Sequence, residues 1–146
     1  MFLSKSFGYA LRGILYVSLS GKDGRKIQVD EIADQLSVPR HFLAKVMKSV
    51  VKNGILDSTK GPYGGFSINK KTFNVKLIQL MELTDGTEQL SGCVLSFKKC
   101  NSRNPCPLHD RVINLRDKLI TEFSTTTLGD LVDEKNPNFI KSISVL

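Results

Sequence analysis

The residues of this sequence that are best suited to chemistry lie close together, in the segment GCVLSFKKCNSRNPCPLHD at positions 92–110. The segment holds all three cysteines of the chain and one of its two histidines, namely Cys93, Cys100, Cys106 and His109. Thiolates and imidazoles are soft and borderline metal ligands, and three cysteines are too few for a disulfide framework. The segment therefore predicts a single metal centre.

Three other interpretations of this segment stay open. Three thiolates and an imidazole also suit a tetrahedral zinc site, although the sequence lacks the close CxxC pairs of most zinc motifs. Unligated thiols could instead sense an oxidant by forming a disulfide. His109 could serve only to satisfy the start of a helix.

The positive charge of the chain is confined to its first half. Residues 1–76 contain 13 Lys and Arg against 5 Asp and Glu, whereas residues 77–146 contain 8 against 9, and the net charge is +7. A basic half joined to a near-neutral half is typical of a polyanion-binding module joined to a module that senses or assembles. A basic surface that is merely solvated is the alternative.

Length and composition limit the class of protein. A chain of 146 residues with 40% apolar residues fits one domain with an extension. No segment approaches the roughly 18 to 20 apolar residues that span a bilayer, and the N-terminus has no small-residue cleavage site. We therefore expect a cytoplasmic protein without a membrane partner. We also expect no enzymatic activity and no small-molecule substrate, because the sequence has no nucleophile elbow, phosphate loop or paired carboxylates.

The first half has the order of elements of a winged helix-turn-helix. Apolar spacing predicts a helix over residues 5–20, then one capped by Asp30 that ends near Ser37, then one that ends near Asn53. The third helix should bury Phe42, Leu43, Val46, Met47 and Val50. Two short strands, at 55–58 and 66–69, flank the turn KGPYGG. The fold class predicted is mainly α with a small β-wing.

This arrangement predicts binding to double-stranded DNA. A helix fits the major groove, and the third helix presents a polar face with Arg40, His41, Lys45 and Lys48. The hairpin could lie along the phosphate backbone, where Gly64 and Gly65 would permit a close approach and Lys60 would add charge. Alternatively, the glycines form only a tight turn and the lysines only a solvated helix face.

The second half predicts a helix at 77–84, the cysteine loop and a long C-terminal helix. Asn104 could cap that helix, with Pro105 in its first turn and its end near Ser124. Its apolar stripe favours pairing with a second copy in a homodimer, which would supply two recognition helices for two half-sites. The alternative is that the stripe covers its own domain. We thus divide the chain into a DNA-binding region 1–76, a sensor region 77–104, a dimerisation helix and terminal turn 105–134, and a tail 135–146.

Several motifs together resemble one known family. The stretches YALRGILYVSL, IADQLSVPRHFLAKVMKSVVKNGIL and KGPYGGFSI, the three-cysteine loop and TTLGDLV are similar to the dimeric winged-helix regulators of the IscR, NsrR and CymR type. The resemblance covers about residues 1–134. It implies a transcription regulator, usually a repressor, and the cysteine-bearing members hold an iron–sulfur cluster whose state changes their affinity for DNA.

By position, the resemblance implies roles for individual residues. The reading helix would place Pro39, Arg40, His41 and Lys45 at the groove. The wing would run from Lys60 to Phe66 and include Tyr63, Gly64 and Gly65.

The cluster ligands map onto Cys93, Cys100 and Cys106, although the first gap is six residues here and five in the usual pattern. A cluster generally needs four donors, and IscR-like members take a histidine three residues after the last cysteine, as His109 is here. On a helix this spacing would put both side chains on one face. Some nitric-oxide-sensing members instead take the fourth ligand from an aspartate near position 8, in the first helix of the second subunit. That position is Gly8 here, which cannot act as a ligand. The sequence thus favours a [2Fe-2S] cluster and leaves [4Fe-4S] open; a cluster-free regulator controlled by a partner protein, by cysteine oxidation or by zinc is the alternative.

Overall fold

The computed structural model describes residues 3–86, 88–93, 95 and 97–133. The predicted tail at 135–146 lies outside these residues. The described part is mostly helical with one small antiparallel sheet, so the predicted mainly α fold with a β-wing is confirmed. None of the helices within these ranges combines the length and the apolar character that crossing a bilayer requires.

Seven α-helices, two strands and one 3-10 turn are formed in the described ranges. In chain order they are α1 (Lys5–Ser20), α2 (Val29–Leu36), α3 (Arg40–Lys52), β1 (Asp57–Thr59), β2 (Gly65–Ser67), the 3-10 turn (Thr72–Asn74), α4 (Leu77–Thr84), α5 (Glu88–Ser91), α6 (His109–Thr125) and α7 (Leu128–Asp133).

Helix α1 runs through the centre of the fold. The hydroxyl of Ser4 accepts a hydrogen bond from the Phe7 amide at 3.1 Å and so caps its first turn. The helix is amphipathic, as predicted, and Ala10, Ile14 and Val17 on its core side have no exposed surface. A Cβ at Gly13 would lie 2.7 Å from the Met47 sulfur, so α1 and α3 approach closely at this glycine.

A tight turn sets α2 against α3. Ser37 ends α2 in the left-handed conformation, with φ 53°, and the backbone N–H of Val38 donates to the Ala33 carbonyl at 3.1 Å. The buried Arg12 of α1 donates to the carbonyl of Leu36 at 2.7 Å. This bond satisfies a carbonyl at the C-terminal end of α2, where the helix itself offers no donor.

Two expectations for this region were wrong in detail. Asp30 does not cap α2, because the helix already begins at Val29 and Asp30 lies inside its first turn. Phe42 was expected to be buried, but it is 41% exposed. Its ring instead contacts Tyr9 edge to face, with centroids 5.4 Å apart, at the border of the core.

The wing is a short hairpin anchored to the chain before α2. Strands β1 and β2 pair with Asp57 opposite Ser67 and Thr59 opposite Gly65. Phe66 exchanges two backbone hydrogen bonds with Ile27, at 2.9 and 2.7 Å, so residue 27 extends the ladder. Both strands are shorter than predicted. Strand β1 starts later than predicted, because Ile55 and Leu56 are buried in the core before it.

The long C-terminal helix begins later than predicted. It starts at His109, and Asn104 does not cap it. The backbone N–H of Asn104 donates to the side-chain oxygen of Asn101 at 3.0 Å. The side-chain amide of Asn104 donates to the Lys99 carbonyl at 3.2 Å. Pro107 gives the physical reason, because a proline disfavours the helical conformation at the residue before it, here Cys106.

The chain after α6 returns to the core of the first half. The amide of Leu77 donates to the Thr126 carbonyl at 3.0 Å, and the amide of Leu128 donates to the Val75 carbonyl at 2.8 Å. Leu128 is fully buried. Helix α6 itself has no buried residue, although Phe123 near its end stacks on Phe7 at a centroid distance of 5.8 Å.

Candidate metal centre and candidate nucleic-acid interface

The three cysteines converge although they come from separate turns. Cys93 follows α5, Cys100 ends a turn in the loop, and Cys106 lies three residues before α6. Their Sγ atoms all lie within 4.8 Å of one another, and those of Cys93 and Cys106 are 3.8 Å apart. All three are half-buried and none forms a disulfide. Sulfurs held this close together can act as ligands of one metal centre.

His109 lies beside this thiol group. Its Nδ1 is 3.3 Å from the Sγ of Cys100. The predicted helical relation to Cys106 is wrong, because Cys106 precedes α6; a turn joins them instead, in which the His109 amide donates to the Cys106 carbonyl at 2.9 Å. The structure thus brings the three cysteine sulfurs together and places the His109 imidazole beside the sulfur of Cys100. That His109 is a ligand stays a prediction.

The surroundings of the thiols shift their acidity in opposite directions. The backbone amide of Phe97 lowers the pKa of the Cys93 thiol, and burial opposes this effect only in part. The backbone amide of Cys106 lowers the pKa of Cys100, but burial and the thiols of Cys106 and Cys93 together raise it above its ordinary value. Because a thiol must lose its proton to bind a metal, loading this group would release protons.

Helix α6 supplies the wall of the cleft around the thiols. The cleft is small, with a volume of about 20 Å³, and it opens to solvent. Besides the four predicted ligands it is lined by Leu108, Val112, Ile113 and Arg116. The sequence did not indicate Arg116, because its place in the cleft depends on the register at which α6 begins.

The predicted reading face lies on α3. Pro39 is its N-cap residue, and Arg40 is the first helical residue. The side chains of Arg40, His41, Lys45 and Lys48 are all exposed. Arg40 forms an ion pair with Asp30, in which its Nε–H donates to the carboxylate. Sequence reasoning missed this contact because Asp30 lies on the preceding helix.

The wing presents its tip to solvent. Tyr63 is 94% exposed and Lys60 is exposed. The side-chain amide of Gln28 donates to the Pro62 carbonyl at 3.0 Å and so holds the tip against the start of α2. The tip and the N-terminal end of α3 therefore both have side chains available to a ligand.

The two wing glycines are required by the fold itself. A Cβ at Gly64 would lie 2.0 Å from the carbonyl oxygen of Thr59, and Gly64 is buried. Gly65 has φ +138°, and a Cβ there would lie 2.6 Å from the Ile27 carbonyl oxygen. Neither position accepts a side chain without a backbone shift. Their contact with phosphate stays a prediction.

Comparison with known proteins identifies the family. The model of the Rrf2 family, described as an iron-dependent transcriptional regulator, matches residues 3–134. A protein of Aquifex aeolicus (strain VF5) described as an HTH-type transcriptional regulator is 36% identical over 135 residues, which cover 91% of this chain and 92% of that protein.

Two solved structures share the fold. CymR, the global cysteine regulator of B. subtilis, superimposes with a TM-score of 0.71 at 17% identity, covering 92% of this chain and 98% of CymR. IscR of T. potens superimposes with a TM-score of 0.67 at 17% identity, covering 92% of this chain and 88% of IscR.

Proposed function

This chain belongs to the Rrf2 family of transcriptional regulators, and from that premise we propose that it is a homodimeric repressor whose operator affinity is controlled by an iron–sulfur cluster. The observation that carries the proposal is the convergence of the three cysteine sulfurs within 4.8 Å of one another, beside the imidazole of His109.

The residues present fit such a cluster. Three thiolates and one imidazole nitrogen provide the four protein donors that a cluster generally needs. Cys93, Cys100, Cys106 and His109 would hold it, and a [2Fe-2S] cluster is favoured over [4Fe-4S]. When bound, the cluster supplies a centre that reacts with oxidants or nitric oxide. The chain supplies half-buried thiols in a cleft lined by Leu108, Val112 and Ile113.

Two features support DNA binding by the first half. Helix α3 carries exposed basic side chains, and the wing beside it ends in the exposed Tyr63. In a winged helix-turn-helix the first helical residues of the reading helix contact base edges while the hairpin follows the backbone. Arg40, His41, Lys45 and Lys48, with Pro39 nearby, would read the operator, and Lys60, Tyr63, Gly64 and Gly65 would form the wing contact.

The exposed stripe of α6 supports a homodimer. Leu115 of α6 is 67% exposed on a helix without a buried residue, and Leu108, just before the helix, is 39% exposed. A second copy of α6 would cover this apolar surface and place two reading helices for two half-sites.

Contacts of α6 connect the cysteines to α1, α2 and α3, which together we call the reading head. Its first residue, His109, touches the thiol group, and Phe123 near its end stacks on Phe7 of α1. The N-terminus of α1 is also tied to the end of α4, since the amide and hydroxyl of Ser4 both donate to Asp85. A change of the loop that shifts the start of α6 would therefore reach α1, which packs against α3.

Operator binding tests the reading face. Arg40→Ala and Lys45→Ala should each weaken operator binding by about 1 to 3 kcal/mol where a base is contacted, and by less, with a lower salt dependence, where only phosphate is contacted. Binding is measured by fluorescence anisotropy over a salt series. Lys118→Ala, an exposed lysine of α6, is the matched control. Unchanged affinity and salt dependence in both α3 variants would remove α3 as the reading helix.

A second candidate is control by thiol oxidation without a metal. It is favoured by the 3.8 Å distance between the Cys93 and Cys106 sulfurs. A hydroperoxide would accept two electrons and two protons from these thiols, which gives one disulfide, water and the corresponding alcohol. Mass spectrometry of metal-free protein after peroxide treatment would show the loss of two hydrogen atoms, absent in Cys106→Ala.

A further inference from the structure

The ion pair between α2 and α3 joins a predicted DNA-reading residue to an acidic one. The Nε–H of Arg40 donates to the Oδ1 of Asp30, and the side chains are 59% and 57% exposed. A solvent-exposed pair of this kind contributes about 0 to 1 kcal/mol to stability. Stability alone is therefore a weak reason for the arrangement.

Both residues lie at the N-terminal end of a helix. Asp30 is in the first turn of α2, and Arg40 is the first residue of α3. The helix dipole favours an anion at such an end and disfavours a cation. Asp30 suits its position, whereas Arg40 does not, and the first turn of α3 contains no acidic residue. The carboxylate of Asp30 supplies the missing negative charge from the neighbouring helix.

The atom that Asp30 contacts determines what remains available on Arg40. A guanidinium has five N–H donors in a rigid plane, of which only one is on Nε. With that N–H bound to Asp30, the two terminal nitrogens stay available as a pair. Two parallel donors of this kind match the O6 and N7 acceptors of guanine in the major groove.

We propose that Asp30 is a specificity-determining residue, which holds Arg40 by its Nε–H so that its terminal nitrogens are presented to a guanine. The proposal rests on the proposed function, because it requires that α3 reads DNA. The Asp30 carboxylate has a second effect. It repels phosphate and therefore weakens binding to DNA that offers Arg40 no guanine.

The test compares selected and unselected DNA with the full-length chain. Binding sites are selected from a library of random duplexes with wild-type protein, and affinities are then measured for the selected duplex and for a scrambled duplex of the same composition. The variants are Asp30→Ala, Asp30→Asn, Arg40→Ala and the double variant Asp30→Ala with Arg40→Ala. Asp34→Ala is the matched control: Asp34 is an exposed carboxylate of the same helix, without an ion pair in the described part of the chain.

The expected result is a loss of discrimination. Asp30→Ala should lower the ratio of selected to scrambled affinity by roughly 5- to 150-fold, the range of one bidentate base contact, and part of the change should come from tighter binding to the scrambled duplex. Asp30→Asn, which keeps an acceptor without the charge, should fall between wild type and Asp30→Ala. In the Arg40→Ala background, Asp30→Ala should have little further effect on discrimination, because its action passes through Arg40.

Two other outcomes are informative and distinct. The role of Asp30 is overturned if wild type selects a sequence and Asp30→Ala discriminates as well as Asp34→Ala does. It is also overturned if Asp30→Ala lowers discrimination equally in the Arg40→Ala background. In both cases DNA reading by α3 stands. If wild-type protein enriches no sequence from the library, the proposed function fails and the inference fails with it. Circular dichroism of each variant confirms that the helices are intact.

Discussion

The reading head and the cysteine-bearing region differ in what holds their helices in place. In the reading head, α1, α2 and α3 bury Ile14, Leu36 and Leu43 completely. In the cysteine-bearing region, α6 is the longest helix of the described chain and yet has no buried residue. The reading head therefore has its own core, whereas α6 meets that core only through half-buried residues such as Phe123. A part of low local stability is suited to change its conformation when its ligands change.

The largest expected effect contrasts a core leucine with an exposed one. Leu80 of α4 is fully buried, and Leu80→Ala should lower the free energy of unfolding by about 2 to 5 kcal/mol, because it leaves a cavity. Leu115 of α6 is 67% exposed, and Leu115→Ala should change the unfolding of the monomer by less than about 0.5 kcal/mol. Urea denaturation at low protein concentration measures both.

Self-association sharpens the same contrast. If α6 pairs with a second copy, Leu115→Ala should raise the dissociation constant of the dimer in sedimentation equilibrium, while Leu80→Ala should not act on dimerisation directly. Equal self-association of wild type and Leu115→Ala would contradict the assignment of this stripe to the dimer.

An intermediate effect is expected in the wing. A Cβ at Gly64 would lie 2.0 Å from the Thr59 carbonyl oxygen, so Gly64→Ala must displace the backbone. We expect a loss of about 1 to 3 kcal/mol in the free energy of unfolding or local disruption of the hairpin, with weaker DNA binding. Gly24→Ala is the control, since Gly24 has φ +78° but open space, and should cost only about 1 kcal/mol. Equal effects of the two changes would show that the hairpin adapts without strain.

The smallest expected effect is a pH dependence within the reading head. The Glu31 carboxylate accepts hydrogen bonds from Arg25 at 2.9 Å and from the Tyr16 hydroxyl at 2.9 Å, and the Arg25 bonds chiefly lower the pKa of Glu31 below its ordinary value. Because the pKa is lower in the folded state, this contribution is complete above the ordinary pKa of 4.5 and is lost as pH falls through the folded-state pKa.

Glu31→Gln should therefore destabilise the protein by less than about 1 kcal/mol at pH 7, and the difference from wild type should shrink in more acidic solution. Urea denaturation over a pH series measures it. Glu82→Gln, an exposed carboxyl of α4, is the control. A difference that grows as pH falls would have the wrong sign for this mechanism.

Local patterns predicted the helices of the core well. Helix α1 at residues 5–20 and α4 at residues 77–84 have the predicted bounds, because apolar residues at helical spacing also meet the core. The pattern was wrong at Phe42, since a tertiary neighbour, Tyr9, holds it at the border of the core. The contact of Asp30 with Arg40 could not be predicted either, because two helices and the turn between them set its geometry.

In the candidate metal centre, the convergence of the cysteines agrees with the sequence pattern but the path of the loop does not. The types and spacing of Cys93, Cys100, Cys106 and His109 indicated a common site; the structure places the three sulfurs together and His109 beside Cys100, and their role as ligands stays a prediction. The start of α6 was predicted incorrectly. Asn104 and Pro105 have a helix-capping pattern, but Pro107 disfavours the helical conformation at Cys106, and the helix begins at His109. Turn formation, which depends on several competing side-chain hydrogen bonds, is harder to derive from sequence than a periodic helix.

The central claim is that these four residues hold an iron–sulfur cluster, and the metal content of the protein tests it most directly. The chain is purified without oxygen, and iron, acid-labile sulfide and zinc are quantified together with the visible absorption spectrum. We expect a coloured wild-type protein with iron and sulfide in equal amounts. Cys106→Ala should contain no iron, and His109→Ala should have a shifted spectrum or retain less iron. Both variants should keep the folded reading head. Colourless, iron-free wild-type protein, even after reconstitution with iron and sulfide, would contradict the account, and stoichiometric zinc would replace the cluster with a zinc site.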